Sequence, residues 1–147
     1  IPVCLYSSAL NIKNIGEKIS NFPINLKKII INNNYIILIT PNKPISTKMV
    51  FNNWSQKPQH TNIINKNKHY PTIGINDLKS TAENIEHSII TAQKMLSLQN
   101  GIKYFGMSGS GATCFGLFRK RNLATQAENK IKQLRPKWWV KSASIII

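Results

Sequence analysis

Acidic side chains are scarce in this chain. Only five Asp and Glu stand against twenty Lys and Arg among 147 residues, so the formal net charge is +15. Cysteine is nearly absent too: Cys4 and Cys114 alone make neither a disulfide framework nor a metal cluster, and a reducing cytoplasm is the simplest location. Apolar runs such as Ile36–Ile39 fall far short of the ~20 residues that a membrane span needs. We therefore expect no membrane partner.

The positive charge raises the question of a nucleic-acid partner, because a basic surface is the footprint of phosphate binding. Arginine, the side chain that best forks onto phosphates and bases, is represented only by Arg119, Arg121 and Arg135. Lys, Asn and Ile are over-used together, and all three are encoded by A- and T-rich codons. We favour codon drift over a nucleic-acid patch as the origin of the charge. Apolar content of 41% is enough for a core and excludes a disordered basic tail.

The first third of the chain predicts mainly strands. The chain begins at Ile1 rather than Met and enters an apolar run at once, which we interpret as a strand whose upstream half is missing, and so as a fragment. Val3–Tyr6 and Ala9–Ile15 predict two strands joined by a turn. Tyr35–Thr40 is continuous and β-branched and predicts a buried strand.

A short helix and a loop are predicted next. Ser46 or Thr47 is suited to cap a helix that carries Met49, Val50 and Trp54. The segment from residue 56 to residue 70 is polar, with few apolar anchors, and predicts a surface loop.

The strongest helical pattern covers Asn76–Gly101. Ser80 and Glu83 fit a capping box at its start, and Asn100-Gly101 is suited to a left-handed cap at its end. The apolar positions that recur on one face are Ile85, Ile89, Ala92 and Leu96.

The remaining elements complete an α+β pattern. A second helix is predicted over Leu123–Leu134, with Pro136 as its stop. Its predicted apolar face consists of Leu123, Ala127, Ile131 and Leu134. Lys103–Met107, Thr113–Phe118 and Trp138–Ile147 are strand-like, and one indole of Trp138-Trp139 should face the core. The order from Tyr35 onward predicts a ferredoxin-like sandwich, with helices on one face of an antiparallel sheet.

One segment, Gly106–Thr113, stands out for its chemistry. It places three glycines and two serines between two predicted strands. Glycine lets another backbone or a phosphate come close, and successive N–H groups can form an anion-binding nest. The pattern is neither a Walker loop nor a dinucleotide fingerprint. Composition alone leaves a glycine-rich β-turn and a phosphate loop equally open.

Four stretches of the chain resemble the GHMP kinases, the family that includes galactokinase, homoserine kinase and mevalonate kinase. Met107–Phe115 closely resembles the third, C-terminal motif of that family. Ile1–Leu5 resembles the stretch after its catalytic Asp, and Pro44–Thr47 with Val50-Phe51 resembles a Pro-x-Ser-Thr…Val-Phe segment of one branch. Asn76–Leu78 resembles the Asn-Asp-Leu that opens a long helix in the same branch.

The resemblance implies a domain organisation and an activity. Residues 1–34 would be remnant strands of the N-terminal kinase domain, and residues 35–147 would be the C-terminal domain. The intact enzyme would transfer a phosphoryl group from ATP to an alcohol group of a small molecule that carries cytidine diphosphate.

The resemblance also assigns substrate-binding roles. Phe51 would stack on the cytosine ring, with Thr47 on the same wall; from its own pattern, Phe51 would be a core residue of a short helix. A supporting role near the phosphates falls to Gly106, Ser108, Gly109, Ser110, Gly111 and Ala112.

The same resemblance places the chemistry outside the chain. The catalytic Asp would fall just before Ile1, and the main nucleotide loop lies further upstream. No catalytic residue or metal ligand is assigned here, so ATP and Mg²⁺ would be bound mainly by the missing N-terminal domain. We expect the isolated chain to be inactive.

Two other hypotheses stay open. The first is a basic ferredoxin-like module that binds RNA through sheet aromatics, for which Tyr104, Phe105, Phe115 and Phe118 are available. The second is a split or decayed gene product with no function of its own.

A cysteine nucleophile is not expected. Cys114 lies in a predicted buried strand, where it should act as a small hydrophobic residue.

Overall fold

A computed structural model describes residues 10–13, 18–54 and 76–146. It begins with a two-stranded antiparallel sheet, in which β1 (Leu10–Lys13) pairs with β2 (Lys18–Asn21). Helix α1 (Ile24–Asn32) follows. The sequence patterns predicted neither β2 nor α1. The predictions for residues 3–6 and 56–70 lie outside the described residues.

The main sheet is antiparallel throughout. Its strands lie in the order β4-β5-β3-β6. They are β3 (Tyr35–Thr40), β4 (Ile102–Met107), β5 (Cys114–Phe118) and β6 (Trp139–Ser144). With helices between β3 and β4 and between β5 and β6, this order is that of a ferredoxin-like sandwich, so the predicted fold class is confirmed.

The core lies between one face of this sheet and the helices. Ile37 and Ile39 point to the same face because side chains alternate along a strand, and both are fully buried. Ile37 lies opposite Gly116 on β5, where a Cβ would come within 2.7 Å of Ile102 and 3.0 Å of Leu96. Gly116 therefore lets the helix layer approach the sheet closely.

The predicted long helix is interrupted. It forms two helices, α3 (Lys79–Ile85) and α4 (Ser88–Ser97), because Glu86 adopts an extended conformation. The carboxylate of Glu86 accepts a hydrogen bond from the Ser88 amide at 2.9 Å, and that bond lowers the pKa of Glu86. The predicted apolar face is nevertheless confirmed on both sides of the interruption, because Ile89, Ala92 and Leu96 are fully buried and Ile85 packs against the core.

Both predicted ends of that helix are wrong. The carboxylate of Glu83 does not complete a capping box: it pairs with Lys79 and accepts a hydrogen bond from Gln93 at 2.7 Å. At the other end α4 stops at Ser97, and Gly101 has a φ of +77° in the turn that leads into β4. Gly101 thus serves the strand entry rather than the helix end.

Two further helices agree closely with prediction. Helix α2 (Thr47–Asn53) is capped by Ser46, whose hydroxyl accepts a hydrogen bond from the Met49 amide at 3.3 Å. Helix α5 (Arg121–Leu134) ends before Pro136 and packs against β3 and β6. Its buried face consists of Ala124, Ala127, Glu128 and Ile131. Leu134 is 58% exposed, so the predicted apolar face was displaced at its C-terminal end.

The tryptophan pair divides as predicted. Trp138 packs against the core, and the Arg135 guanidinium lies 5.5 Å from the centre of its ring, whereas Trp139 is 54% exposed. Among the described helices, none is long and apolar enough to cross a membrane.

Candidate functional site

The glycine-rich segment forms a tight loop between β4 and β5. The Ser108 amide donates to the Thr113 carbonyl at 2.9 Å, and the Gly111 amide donates to the Ser108 carbonyl at 3.0 Å. At the base of the loop, the hydroxyl oxygens of Thr40 and Thr113 lie 2.9 Å apart and join β3 to the start of β5. The loop is therefore a β-turn in its internal bonding.

Two glycines of this loop have different surroundings. Gly109 has a φ of +55°, and a Cβ there would meet no atom within 4 Å. Gly111 has a φ of +90°, and a Cβ there would lie 3.1 Å from the side chains of both Ile89 and Met107. Gly111 thus seats the loop on α4, whereas Gly109 lies on its open side. Within the described part of the chain, the Gly109 and Ser110 amides donate to no protein acceptor.

Helix α2 places the two predicted substrate residues beside this loop. The Thr47 and Ser110 hydroxyl oxygens lie 2.9 Å apart, although 63 positions separate the residues in sequence. Val50 is fully buried and anchors the helix, so Phe51, the next residue, points outward and is 52% exposed. The expectation of a core position for Phe51 is wrong. Half of a large aromatic surface is left open to solvent at this point.

Asn76 links the loop to the start of α3 with one side chain. Its Nδ2 donates to the Met107 carbonyl at 3.1 Å and to the Gly109 carbonyl at 2.8 Å. Its Oδ1 accepts a hydrogen bond from the Leu78 amide at 3.1 Å. Both hydrogens of the amide and its oxygen are therefore used. The motif Asn-Asp-Leu pointed to this position, but its pattern could not show that the partners are loop carbonyls.

These elements border an open cleft of about 450 Å³. It is lined by Phe51, Trp54, Asn76, Asp77, Leu78 and Gly109. Trp54 and Asp77 were not predicted as site residues. Trp54 lies three positions after Phe51, a spacing that brings two aromatic rings to one side of a helix end. The cleft thus combines aromatic surface, one carboxylate and an open glycine loop.

The thiol closest to the loop in sequence is not a nucleophile. Cys114 is fully buried at the start of β5. Burial raises the pKa of its thiol to about 12, and the nearby Glu83 carboxylate adds to the rise. Since the thiolate is the reactive form, Cys114 acts as a small apolar residue, as predicted.

A second groove lies between α5 and β6. It has a volume of about 490 Å³ and includes Tyr35, Arg121 and Glu128 in its lining. Burial alone would raise the pKa of Glu128, but hydrogen bonds from Lys132 and from the amide and hydroxyl of Ser142 lower it to about 2. The carboxylate is thus committed to joining α5 to β6.

The described residues lack the features that other chemistries need. No group of three or more His, Cys, Asp or Glu side chains among them could hold a metal ion. Of the four aromatics available for RNA stacking, Phe118 is fully buried and the Phe115 ring packs over Gly106. These two residues therefore do not form an exposed aromatic surface on which RNA bases could stack.

Comparison with known proteins defines the class. Residues 67–137 match the family model "GHMP kinases C terminal", and the chain therefore carries the C-terminal domain of the GHMP kinase family. Over 99% of its length the chain is similar to proteins named 4-diphosphocytidyl-2-C-methyl-D-erythritol kinase. It is 30% identical to the one from Roseobacter denitrificans and 33% identical to the one from Ehrlichia chaffeensis. These alignments cover 49% and 53% of the two relatives, so the chain spans about half their length.

Solved structures share the fold. A crystal structure of 4-(cytidine 5'-diphospho)-2C-methyl-D-erythritol kinase superposes with a TM-score of 0.69 at 15% identity, covering 97% of this chain and 52% of that one. Homoserine kinase from Cytophaga hutchinsonii gives a TM-score of 0.56 at 14% identity, covering 99% of this chain and 50% of that one.

Proposed function

We propose that this chain is the substrate-binding C-terminal part of an ATP-dependent kinase that phosphorylates 4-diphosphocytidyl-2-C-methyl-D-erythritol in isoprenoid biosynthesis. The observation that carries the proposal is the contact between α2 and the glycine loop. It brings Thr47 to Ser110 and leaves Phe51 open on the cleft. The names of the relatives supply the substrate and the reaction. A cytoplasmic location accords with such an enzyme.

The aromatic wall is suited to the cytidine end of the substrate. Phe51 would stack on the cytosine ring, an interaction that needs no particular base edge and contributes about 1–3 kcal/mol. Trp54 lies beside it in the lining of the cleft. Thr47, held by Ser110, would line the same wall, with its hydroxyl placed for a polar group of the ligand.

The glycine loop is suited to the phosphate end. The amides of Gly109 and Ser110 form an open pair, and consecutive free amides favour an anion. The loop would support phosphates that are bound mainly by the N-terminal half, along the edge formed by Gly106, Ser108, Gly109, Ser110, Gly111 and Ala112.

The described residues do not suit the metal. They hold no cluster of acidic side chains for Mg²⁺: Glu83, Glu86 and Glu128 are already committed to protein partners, which leaves Asp77 as a single carboxylate on the cleft. We assign the metal, the main ATP contacts and the catalytic base to a polypeptide equivalent to the N-terminal half of the relatives. On this proposal, the 147-residue chain alone has no phosphoryl-transfer activity.

Binding of cytidine diphosphate to the 147-residue chain tests the aromatic wall. We expect Phe51→Ala to weaken binding roughly 5- to 150-fold, following the stacking energy above, and Phe51→Trp to restore it. The measurement is a titration followed by NMR, in which a stacked cytosine ring shows upfield ring-current shifts. Met49→Ala is the matched control, because Met49 lies on the same helix and is 48% exposed but does not line the cleft. Equal affinities for Phe51→Ala and Met49→Ala would refute the substrate assignment.

A further inference from the structure

The groove between α5 and β6 is a cavity that the proposed function does not use. Its volume of about 490 Å³ falls in the usual range of small-molecule sites, roughly 300–1,000 Å³. The groove is also distant from the cleft. Tyr35, in its lining, opens β3, whereas Thr40 ends that strand beside the glycine loop. At about 3.3 Å per strand residue, roughly 16 Å separate the two places, so a ligand in the groove would occupy a site of its own.

The lining of the groove carries an excess of positive charge. Arg121 and Lys141 contribute two cations, and neither forms an ion pair with another described residue. Glu128 is the one acidic residue among the described residues that line the groove, and its charge is balanced by Lys132. Two cations without a carboxylate partner favour a ligand with two negative charges, such as a phosphate monoester near neutral pH.

The two walls of the groove are joined without a ligand. The Glu128 carboxylate of α5 accepts hydrogen bonds from the Ser142 amide of β6 at 2.8 Å and from the Ser142 hydroxyl. Arg121 lies on the same side of α5 as Glu128, because seven residues make about two helical turns. Since the walls are already in place, binding has to order fewer groups and costs less entropy.

The uncharged part of the lining is suited to the hydroxyl groups of a ligand. It offers three hydroxyls and one side-chain amide that have no partner among the described residues, on Tyr35, Thr125, Ser144 and Asn129. Hydroxyl and amide groups both donate and accept hydrogen bonds, so they match the hydroxyls of a sugar in either direction. The lining therefore combines a place for one phosphate with a place for a polyhydroxy carbon chain.

We propose that the groove between α5 and β6 binds a sugar phosphate, with the phosphate at Arg121 and Lys141 and the sugar beside Thr125, Asn129 and Ser144. The Arg121 guanidinium donates to two phosphate oxygens at once, a geometry that lysine cannot reproduce. Lys141 adds a point charge from β6. The position of this site does not rest on the kinase assignment.

Titration of the isotope-labelled 147-residue chain with ribose 5-phosphate, followed by NMR, tests the site. We expect saturable shifts of the Thr125, Ser142 and Ser144 amides, and at least about tenfold weaker binding of ribose and of inorganic phosphate. Arg121→Ala should raise the dissociation constant at least about tenfold, and Arg121→Lys at least about threefold, because the charge remains but the fork is lost. Arg119→Ala is the matched control: Arg119 is an exposed arginine two positions away that does not line the groove, so the constant should change less than about twofold. Circular dichroism checks that each variant is folded.

The opposing outcomes are equally defined. Absence of saturable shifts, or shifts confined to the Gly109 and Ser110 amides, overturns the groove as the site. An equal loss of affinity in Arg119→Ala and Arg121→Ala does so as well, because the charge of the whole chain then explains the binding. Inorganic phosphate that binds as tightly as ribose 5-phosphate overturns the sugar as part of the ligand. A single-stranded RNA that shifts the groove amides and displaces ribose 5-phosphate overturns the sugar phosphate in favour of a polynucleotide. None of these titrations measures phosphoryl transfer, so failure of this site and failure of the proposed function are separated.

Discussion

Asn76 makes three hydrogen bonds that hold the candidate site together. A single amide joins two loop carbonyls and the first turn before α3, so it sets the distance between the glycine loop and the wall formed by residues 76–78. Asn is suited to this position because it offers two donors and an acceptor on one short side chain. A carboxylate of the same size would keep the acceptor and place a negative charge against two carbonyl oxygens.

Asn76→Asp should therefore lower the free energy of unfolding by about 1–3 kcal/mol, the cost of leaving partly buried polar groups without partners. Urea denaturation measures this, and amide exchange should show reduced protection at Gly111, whose amide closes the loop. Asn53→Asp is the matched control, because Asn53 donates one hydrogen bond to the nearby Met49 carbonyl in an exposed place. If both variants cost the same, Asn76 has no special role in holding the loop.

The two glycines of the loop should also respond differently to alanine. Gly111→Ala places a Cβ at 3.1 Å from Ile89 and Met107 at a φ of +90°, whereas Gly109→Ala meets only the backbone cost of a φ of +55°. We expect Gly109→Ala to cost about 1 kcal/mol and Gly111→Ala at least about 1 kcal/mol more. Thermal unfolding of the two variants compares them directly. A larger loss at Gly109 would contradict the described packing of the loop on α4.

At the scale of elements, α5 is joined to the sheet by a buried carboxylate as well as by apolar packing. Glu128 is 7% exposed on the helix, and its carboxylate accepts hydrogen bonds from Ser142 on the edge strand β6 and from Lys132 one turn along. From the sequence alone, a glutamate in a helix is assigned to the face that is exposed to solvent. Only the approach of β6 explains why a charged residue lies on the inner side of α5.

This arrangement makes the stability of the chain depend on pH in an acidic window. The pKa of Glu128 is lowered from 4.5 to about 2 in the folded state. The stabilisation is therefore fully present above pH 4.5 and is lost as the pH falls toward about 2. We expect it to be on the order of 2–3 kcal/mol. Glu128→Gln should be less stable than the unmodified chain at pH 7, and the difference should shrink through this window, as followed by urea denaturation at each pH. A difference that is constant with pH would exclude the ionised carboxylate as its source.

The element boundaries show where sequence patterns stop being informative. Strand β3 was predicted at its observed limits, because six apolar and β-branched residues end at a proline. The break between α3 and α4 was not, because Ile85 and Ile89 keep helical spacing across it. Glu86 ends the first helix and its carboxylate then accepts the Ser88 amide, a local competition that periodicity does not register. Helix α1 was missed because its apolar residues follow no single buried face.

At the scale of the whole molecule, the layers explain how distant motifs form one site. The cleft draws on α2, the segment 76–78 and the loop after β4, which lie far apart in sequence. They meet because α2 contacts α3, α3 contacts α4, and α4 packs against β4 and β5, the two strands that the loop joins. The net charge of +15 does not hold these elements together. Among the described residues the two side-chain ion pairs are Lys79–Glu83 and Lys132–Glu128, and each joins two residues of the same helix.

The sequence by itself determined the α+β class, the main strands, the helix of residues 121–134 and the family to which the C-terminal domain belongs. The alternation of apolar and polar residues, the helix caps and the contiguous glycine motif are local properties, so a short stretch of sequence is enough to recognise them. Tertiary structure alone decided that Thr47 meets Ser110 and that Asn76 bonds the loop. It also decided between the two expectations for Phe51, because the side chain is 52% exposed and lines the cleft. The Thr47 and Asn76 contacts join residues 31 to 63 positions apart, and no local pattern encodes which distant backbone or hydroxyl a side chain will reach.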